Sequence, residues 1–419
     1  MRQQLNTPKG WENVLIPEVM FFQEGPGVRK WQFRDKGVKL LNVGNINNQE
    51  LNLSTTKIFI DEDEANGKYS HFLLNAGELV IGCSGIVVDN FHNKIAYVSE
   101  EDLPLCLNTS TMRFRPLNDN VSLDYFRYFI QTNLFKKQLQ RLITGSAQLN
   151  FGPSHVKQIE LLLPPLTTQR RIAEVLDKAD AIRKRSKKIL EKYDQLAQSV
   201  FLEMFGDISN NIKFQICNVG EVVSIVRDGP HVSPKYSEES DGVPILSTRN
   251  IRPFRLILDE VKYVSRETFA LLTKRFKPQV GDVLLTKGGT TGYAKVVDFD
   301  WEFCIWVHVA ALRPIQDKIN PKYLEAALNS HFGYQQSQRF TRGIANRDLG
   351  LTRMVNIKIP LPAMAIQNKF SSIMGQIEQQ KAQTQAELDR AEMLYQSLLQ
   401  RAFTGELFSE ETTKELQNA

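Results

Sequence analysis

The chain carries the sequence LLPPLTTQRRI at residues 162–172 and a diverged copy, PLPAMAIQNKF, at residues 360–370. The same offset of 198 aligns Tyr125 with Tyr323, Arg141 with Arg339, Gly145 with Gly343 and Ile159 with Ile357. Further upstream the offset is close to 205, where GVKLLNVGNI at 37–46 matches GVPILSTRNI at 242–251. Several matches in one order at a nearly constant offset predict an internal duplication.

Each half of the duplication has a globular part followed by a long helical part. Short apolar runs at Leu79–Ile81 and Val283–Leu285 come after turn residues and predict strands. Residues 123–142 and 321–340 have a helical pattern. We therefore divide the chain into globular regions at 1–163 and 211–362 and helical regions at 164–210 and 363–419.

The helical regions open immediately after prolines, which helices accept at their starts. The first is predicted to cover 167–203 and to end at Gly206. Steps of three and four residues give it a heptad-like seam: Ile172, Val175, Ala179, Ile182, Ser186, Ile189, Tyr193, Leu196 and Val200. The second seam contains Phe370, Ile373, Ile377, Ala391, Leu394 and Leu398, with a polar middle that Leu388 partly fills. We expect the two helices to pack on each other, because each has one apolar stripe to bury.

Composition excludes several classes of protein. The 419 residues carry a net charge of +5, and their 42% hydrophobic content is typical of globular proteins. The start of the chain lacks the apolar segment of a secretory signal, and the longest apolar run is too short to span a membrane. The four cysteines are far apart, which predicts buried, reduced thiols.

No catalytic motif is recognisable. The histidines and acidic residues have no metal-ligand spacing, and we expect no metal site. The glycine-rich run at 287–292 lacks the Lys-Ser/Thr ending of a phosphate loop, which favours a turn over a nucleotide site. Net charge by region is 0, +2, +6 and −3 in chain order, so the basic excess lies in the second globular region. Arginines there are suited to phosphates and guanine edges, although solvated surface arginines are common too.

These motifs together resemble one family, the specificity subunits of type I restriction–modification systems. The resemblance rests on both proline junctions, on DGPHVSPKY at 228–236, on GDVLLTKGGTTGYAKV at 281–296, and on GSAQLNF at 145–151 with GIANRDL at 343–349. It covers nearly the whole chain. Thr168 and Ile366 stand where the family often has Glu, and the first half lacks the glycine-rich loop.

The resemblance implies an α+β fold: two similar mixed target-recognition domains, separated by two long antiparallel coiled-coil-like helices, with pseudo-two-fold symmetry. Each domain would read one half of a bipartite, asymmetric site in double-stranded DNA. The helices would set the gap between the half-sites. The chain would not be an enzyme and would hold no cofactor. It would join two modification subunits, which bind S-adenosylmethionine, and two restriction subunits, which use ATP and Mg²⁺, in the cytoplasm without a membrane.

Position and chemistry select the candidate site residues. For DNA contact in the first half they are Arg29, Lys30, Ser84, Asn90, Lys94, Gln148 and Asn150. In the second half they are Lys235, Tyr236, Arg249, Lys287, Thr290, Thr291, Arg342 and Arg347. Core packing for Tyr236 and turn hydrogen bonding for the two threonines are the plain structural alternatives. Gln169, Arg170, Arg171 and Gln367 are expected to face a partner subunit.

Two other classes of function stay open on the sequence alone. A nuclease or methyltransferase with an unrecognised motif would act on DNA as an isolated chain. A helical scaffold with two domains that do not bind DNA would show binding indifferent to salt, whereas phosphate contacts make affinity fall steeply with salt.

Overall fold

The computed structural model describes residues 7–54, 56–143, 148–206, 213–232 and 234–408. The chain forms two compact units. Unit 1 contains residues 1–185 and 387–419, and unit 2 contains residues 186–386. Both long helices are therefore shared, since each contributes about half its length to either unit.

Unit 1 is a mixed unit of short strands and helices. Its strands are β1 (Glu12–Leu15), β2 (Met20–Glu24), β3 (Val38–Leu41), β4 (Ile46–Asn47), β5 (Glu50–Leu51), β6 (Phe59–Ile60), β7 (Leu79–Gly82), β8 (Ile86–Val87), β9 (Ile95–Tyr97), β10 (Leu105–Leu107), β11 (Thr111–Pro116), β12 (Gln148–Leu149) and β13 (Glu160–Leu163). Its helices are α1 (Ile16–Val19), α2 (Glu62–Asn66), α3 (Leu123–Phe129), α4 (Asn133–Leu142), α5 (Pro153–Val156) and the start of α6 (Leu166–Phe205).

The central sheet of unit 1 is antiparallel, with the strand order β2-β11-β7-β9. Leu79 and Ile81 face a core that includes Phe126 and Phe129 of α3, while Val80 faces a second apolar cluster. Because both faces of the sheet are covered, β7 is a continuous apolar run. A smaller sheet, β10-β3-β6, lies in the same unit, and β1 pairs with β13 next to the proline junction.

Unit 2 repeats this plan. Its strands are β14 (Ile216–Asn218), β15 (Val223–Asp228), β16 (Tyr236–Ser237), β17 (Gly242–Leu246), β18 (Ile251–Arg252), β19 (Arg255–Leu256), β20 (Lys262–Ser265), β21 (Val283–Thr286), β22 (Ala294–Val296), β23 (Cys304–Ile305), β24 (Val309–Pro314) and β25 (Lys358–Pro360). Its helices are α7 (Val219–Val222), α8 (Arg266–Thr273), α9 (Pro321–Asn329), α10 (His331–Phe340), α11 (Leu351–Met354) and part of α12 (Met364–Thr404).

The central sheet and the strand pair at the proline junction of unit 2 correspond strand by strand to those of unit 1, whereas the second sheet has four strands in unit 2, β16-β20-β17-β23, and three in unit 1. The order β15-β24-β21-β22 repeats β2-β11-β7-β9, and the pair β14-β25 repeats β1-β13. The duplication predicted from the sequence is therefore a duplication of topology. The helical stretches at 123–142 and 321–340 are each two helices, because capping side chains of Thr132 and Ser330 start a second helix within them.

The long helices pack antiparallel within each unit. In unit 1, Arg171 lies over the Phe408 ring and Arg183 contacts Glu392; in unit 2, Asp194 pairs with Lys381 and Phe201 packs on Phe370. In both units the residue number rises along one helix as it falls along the other. The expectation that α6 and α12 pack together is confirmed.

Half of the predicted seam is one residue out of phase. Ile172 and Ala179 are buried as expected, but Leu176 and Arg183 are the buried side chains where Val175 and Ile182 were predicted. Ile182 is 54% exposed, and on α12 Leu394 is exposed while Tyr395 is buried. A heptad seam can step by three and then four residues, or by four and then three. The apolar residues alone therefore did not determine which side chains of the helix are buried.

A buried ion-pair cluster accounts for the phase on α6. The Arg183 guanidinium donates to Asp180 at 2.8 Å and to Glu392 at 3.1 Å, and it lies 4.0 Å from the centroid of the Tyr395 ring. These partners allow a charged side chain to occupy a position where the pattern favoured isoleucine.

All four cysteines are buried and free, as predicted. Burial raises the pKa of the thiols of Cys106 and Cys304 to about 12.

Candidate nucleic-acid interface

In unit 2, two loops meet beyond the end of the central strand β21. The amide of Leu349 donates to the Lys287 carbonyl at 2.7 Å, and the amide of Gly289 donates to the Arg347 carbonyl at 2.9 Å. These bonds join the glycine-rich loop at 287–292 to the loop at 342–348. The two segments that resemble the family motifs therefore form one surface.

Lys287 holds this surface together from inside. Its ammonium donates to Asp228 Oδ2 at 2.8 Å, lies 3.6 Å from Asp348 Oδ1, and donates to the Val307 carbonyl at 3.3 Å. The side chain is 8% exposed. The prediction that Lys287 touches DNA does not fit, because its charge is already neutralised by the carboxylates of Asp228 and Asp348.

The threonines of the loop have different surroundings. Thr290 is exposed, and its place fits the prediction. Thr291 is buried, its hydroxyl is 2.9 Å from that of Thr341, and its carbonyl accepts from Gln338. Thr291 is therefore held by a distant segment and not by bonds within its own turn, and its contact with DNA stays a prediction.

Arg342 and Arg347 are exposed on the neighbouring loop. Arg347 donates to the side chain of Gln338, and Arg342 exchanges backbone hydrogen bonds with Asp348. Both guanidinium groups can reach solvent and an anionic ligand.

The remaining candidates of unit 2 lie on other loops. Lys235 and Arg249 are exposed. Tyr236 is half-exposed, not part of the core, and the Lys262 ammonium lies 4.4 Å from the centroid of its ring. Their contact with DNA stays a prediction.

Unit 1 has the same arrangement at the end of β7. The amide of Phe151 donates to the Cys83 carbonyl at 3.0 Å, as Leu349 does to Lys287. Asn150 Oδ1 accepts from the Ser84 hydroxyl at 3.0 Å and from the Gly85 amide at 2.8 Å. The structure thus brings Ser84 and Asn150 together on an exposed surface, and their contact with DNA stays a prediction.

Cys83 and Glu24 take the places that Lys287 and Asp228 have in unit 2. The thiol lies 4.0 Å from Glu24 Oε1. Burial, and then the negative charge of Glu24, raise the pKa of Cys83 to about 12, and burial raises the pKa of Glu24 above its usual value. The loop junction of unit 1 therefore lacks the cation found in unit 2.

The other candidates of unit 1 are separate from this surface. Arg29 and Lys30 are exposed at the start of a short 3₁₀ turn, and Asn90 is exposed on another. The Lys94 ammonium donates to the carbonyls of Val43 and Ile46 and so stabilises a loop within unit 1. Burial lowers the pKa of Lys94. The side chain of Gln148 lies outside the described residues.

Gln169 and Gln367 are not available to a partner, because both side chains are 0% exposed. Gln169 accepts from the Ser122 amide at 2.8 Å and donates to the Pro164 carbonyl at 2.8 Å. Gln367 makes the same bonds to Asn320 and Pro362. The prediction was wrong because a position near the proline junction does not ensure exposure: these glutamines hydrogen bond each junction to the preceding loop.

Arg170 and Arg171 are exposed, with the Arg171 guanidinium 4.1 Å from the centroid of the Phe408 ring, and their contact with a partner subunit stays a prediction. Sequence reasoning missed Asp228, Asp348 and Glu24, which organise the loop junctions. The offsets of 204 and 198 pair Glu24 with Asp228 and Asn150 with Asp348, so the duplication itself held the signal.

Two searches of the described residues gave no site of another kind. No helix there is both long and apolar enough to cross a bilayer. Within the same ranges, no cluster of three or more His, Cys, Asp or Glu side chains has the geometry to hold a metal ion.

The chain belongs to the family described as the type I restriction modification DNA specificity domain, which it matches twice, at residues 8–192 and 211–393. It is 27% identical over 198 residues to the type I restriction enzyme MjaVIII specificity subunit of Methanocaldococcus jannaschii, an alignment covering 46% of each chain. It is 21% identical over 438 residues to the EcoKI specificity subunit of Escherichia coli, covering 96% of this chain and 90% of that one.

A solved structure with the same fold is the type I restriction–modification S subunit from M. genitalium. The TM-score is 0.56 at 14% identity, covering 96% of this chain and 98% of that one. The two family matches coincide with the two copies of the topology.

Proposed function

We propose that this chain is the DNA-recognition subunit of a type I restriction–modification enzyme, in which each unit reads one half of a bipartite site. The observation that carries the proposal is the duplicated loop junction: Cys83 with Asn150, and Lys287 with Asp348, stand at equivalent places of two copies of one fold. Two copies of a reading surface on one chain suit two half-sites on one duplex. Different residues at equivalent places suit an asymmetric sequence.

Unit 2 would supply more of the phosphate attraction. Exposed Arg249, Arg342 and Arg347 can contact phosphates or guanine edges, whereas the loop junction of unit 1 presents Ser84 and Asn150, which favour neutral hydrogen bonding. The subunit would recognise DNA and leave methylation and cleavage to its partners.

Two modification subunits and two restriction subunits would assemble with this chain in the cytoplasm. Exposed apolar side chains on the long helices support docking of helical partners there. In unit 1 these are Ile182, Met393 and Leu394. The cofactors of the reactions, S-adenosylmethionine for methylation and ATP with Mg²⁺ for cleavage, would belong to those partners.

The decisive experiment is exchange of one unit's reading region. The full chain is co-expressed with the modification subunit from the same operon, and methylated adenines are mapped across the host genome. Replacing residues 1–163 by the corresponding region of another family member should change one half of the methylated sequence. A change in both halves, or no methylation dependent on the chain, contradicts the proposal.

The helices would set the distance between half-sites. Inserting one heptad into both α6 and α12 should lengthen the unspecified gap and leave both half-sites unchanged. Insertion into α6 alone is the matched control, and it should abolish methylation because the antiparallel pairing loses its register. An unchanged gap after the double insertion would remove the helices from this role.

A further inference from the structure

An isoleucine at the tip of a short loop in unit 2 is completely open to solvent. The loop at 342–348 closes on itself, because Arg342 and Asp348 exchange two backbone hydrogen bonds of 2.9 Å. Gly343 has φ of +85°, and a Cβ there would lie 2.3 Å from the Asn346 carbonyl oxygen. At the tip, Ile344 is 100% exposed.

The loop is held firmly at its base. Besides its bonds to the glycine-rich loop, Arg353 donates to the Asp348 carbonyl at 2.9 Å and to its carboxylate at 2.9 Å. Because the base is anchored at several points, Ile344 is presented from a preformed loop, and little ordering entropy remains to be lost on binding.

Cations flank the apolar tip. Arg342 and Arg347 are both exposed and lie within three residues of Ile344. The carboxylate of the loop, Asp348, is paired with Lys287 and Arg353. The tip itself carries Gly343, Ala345 and Asn346 around the isoleucine, which is too little apolar surface for a protein-docking patch.

A single apolar side chain between two arginines complements a nucleic-acid duplex. Duplexes present apolar base surface, such as thymine methyl groups and the faces of base steps, between two lines of phosphate charge. We propose that Ile344 contacts the apolar surface of a base in the half-site read by unit 2, with Arg342 and Arg347 on the adjacent phosphates. This inference rests on the proposed function.

The test uses the full chain in complex with its modification subunit. The probes are a duplex carrying the sequence found by methylation mapping and an unrelated duplex of equal length. Ile344→Ala should weaken binding to the specific duplex about ten-fold, with little effect on the unrelated duplex. Its salt dependence should match wild type, because no phosphate contact is lost. Ile344→Leu should retain most of the affinity.

Two further variants give the contrast. Val280→Ala removes another exposed apolar side chain of unit 2, 60% exposed, and should leave both affinities unchanged. Arg342→Ala should reduce the slope of affinity against salt by about one charge. Equal affinities of wild type and Ile344→Ala for the specific duplex, or an equal loss on both duplexes, would overturn the inference. Wild-type complex without any specific sequence would instead overturn the proposed function.

Discussion

The two loop junctions have the same backbone plan and different chemistry. In unit 2 a buried lysine joins the carboxylate of Asp228, at the end of strand β15, to that of Asp348 on the loop at 342–348. In unit 1 the equivalent places hold Cys83, Glu24 and Asn150. The Cys83 thiol lies 4.0 Å from Glu24 Oε1, and Asn150 accepts from the Ser84 hydroxyl. The backbone bond from residue 151 to 83 recurs as 349 to 287. Topology is therefore shared, and the side chains that fix the loops have diverged.

A second pair of equivalent sites carries ionisable groups of opposite sign, Arg127 in unit 1 and Glu325 in unit 2. On α3 of unit 1, Arg127 contacts Asp177. At the corresponding place on α9, Glu325 is buried, accepts from the Val296 amide at 3.1 Å, and lies 3.9 Å from the Lys295 ammonium. Divergence after duplication has thus reached buried electrostatics as well as the surface.

The largest expected effect comes from removing the lysine. Lys287→Met should lower the free energy of unfolding by about 3 kcal/mol, because Asp228 would be left as a largely buried carboxylate without its cation. Thermal unfolding of the full chain measures this. Cys83→Met at the equivalent place is the matched variant and should cost less, because no ion pair is broken. Equal losses would show that the two junctions are held in the same way.

Replacing the buried Glu325 should change the free energy of unfolding in the opposite direction and stabilise the chain at high pH. Burial raises the pKa of Glu325 from 4.5 to about 7, against the opposing charge of Lys295. Between these values the unfolded chain ionises first, so stability is fully present below pH 4.5 and falls as pH rises to 7. Glu325→Gln should remove that fall and stabilise unit 2 at pH 8, by up to roughly 3 kcal/mol.

The control for this change is in unit 1. Arg127→Gln should lower the unfolding midpoint, because Asp177 loses its partner. The midpoint of each variant is followed from pH 4.5 to 8. A Glu325→Gln variant that is less stable than wild type at pH 8 would mean that Glu325 remains ionised and is held by Lys295.

A smaller effect should be the same in both units. Gly85 and Gly289 have φ of +69° and +67°, with open space where a Cβ would stand. Alanine at either place should cost about 1 kcal/mol through backbone conformation alone. Chemical denaturation of the two variants tests the shared backbone plan, which unequal costs would contradict.

The smallest effect should be local to unit 1. Asn150→Ala removes the acceptor for the Ser84 hydroxyl and the Gly85 amide, at a cost of about 1 kcal/mol or less. Hydrogen exchange at the Gly85 amide should accelerate, and only the half-site read by unit 1 should weaken. Asn90→Ala, on another exposed turn of unit 1, is the control for hydrogen exchange only, and faster exchange at the Gly85 amide in that variant would indicate general loosening.

The internal duplication, and with it the two-copy architecture, could be predicted from the amino-acid sequence alone. Residues that recur at the offset of 198 are those that build the fold: Tyr125 and Tyr323 donate to the carbonyls of Leu162 and Pro360, and Gln169 and Gln367 bond beside them. Each of these contacts lies within one proline junction and needs a particular side chain. The residues that make them therefore stay recognisable after the two halves diverge. Strands β7 and β21 could also be predicted, because a strand that is buried on both faces of the sheet is a continuous apolar run.

Which polar residues face outward could not be predicted before the packing of distant segments was known. Lys287, Thr291 and Gln169 look like ligand-binding residues in the sequence, yet each is buried and has a partner in a segment about 50 residues away or more. The buried face of α6 likewise could not be predicted, because it includes Arg183, which is buried through its contacts with Asp180, Glu392 and Tyr395. A polar side chain is buried or exposed according to whether distant segments offer it partners, and no local pattern contains that information.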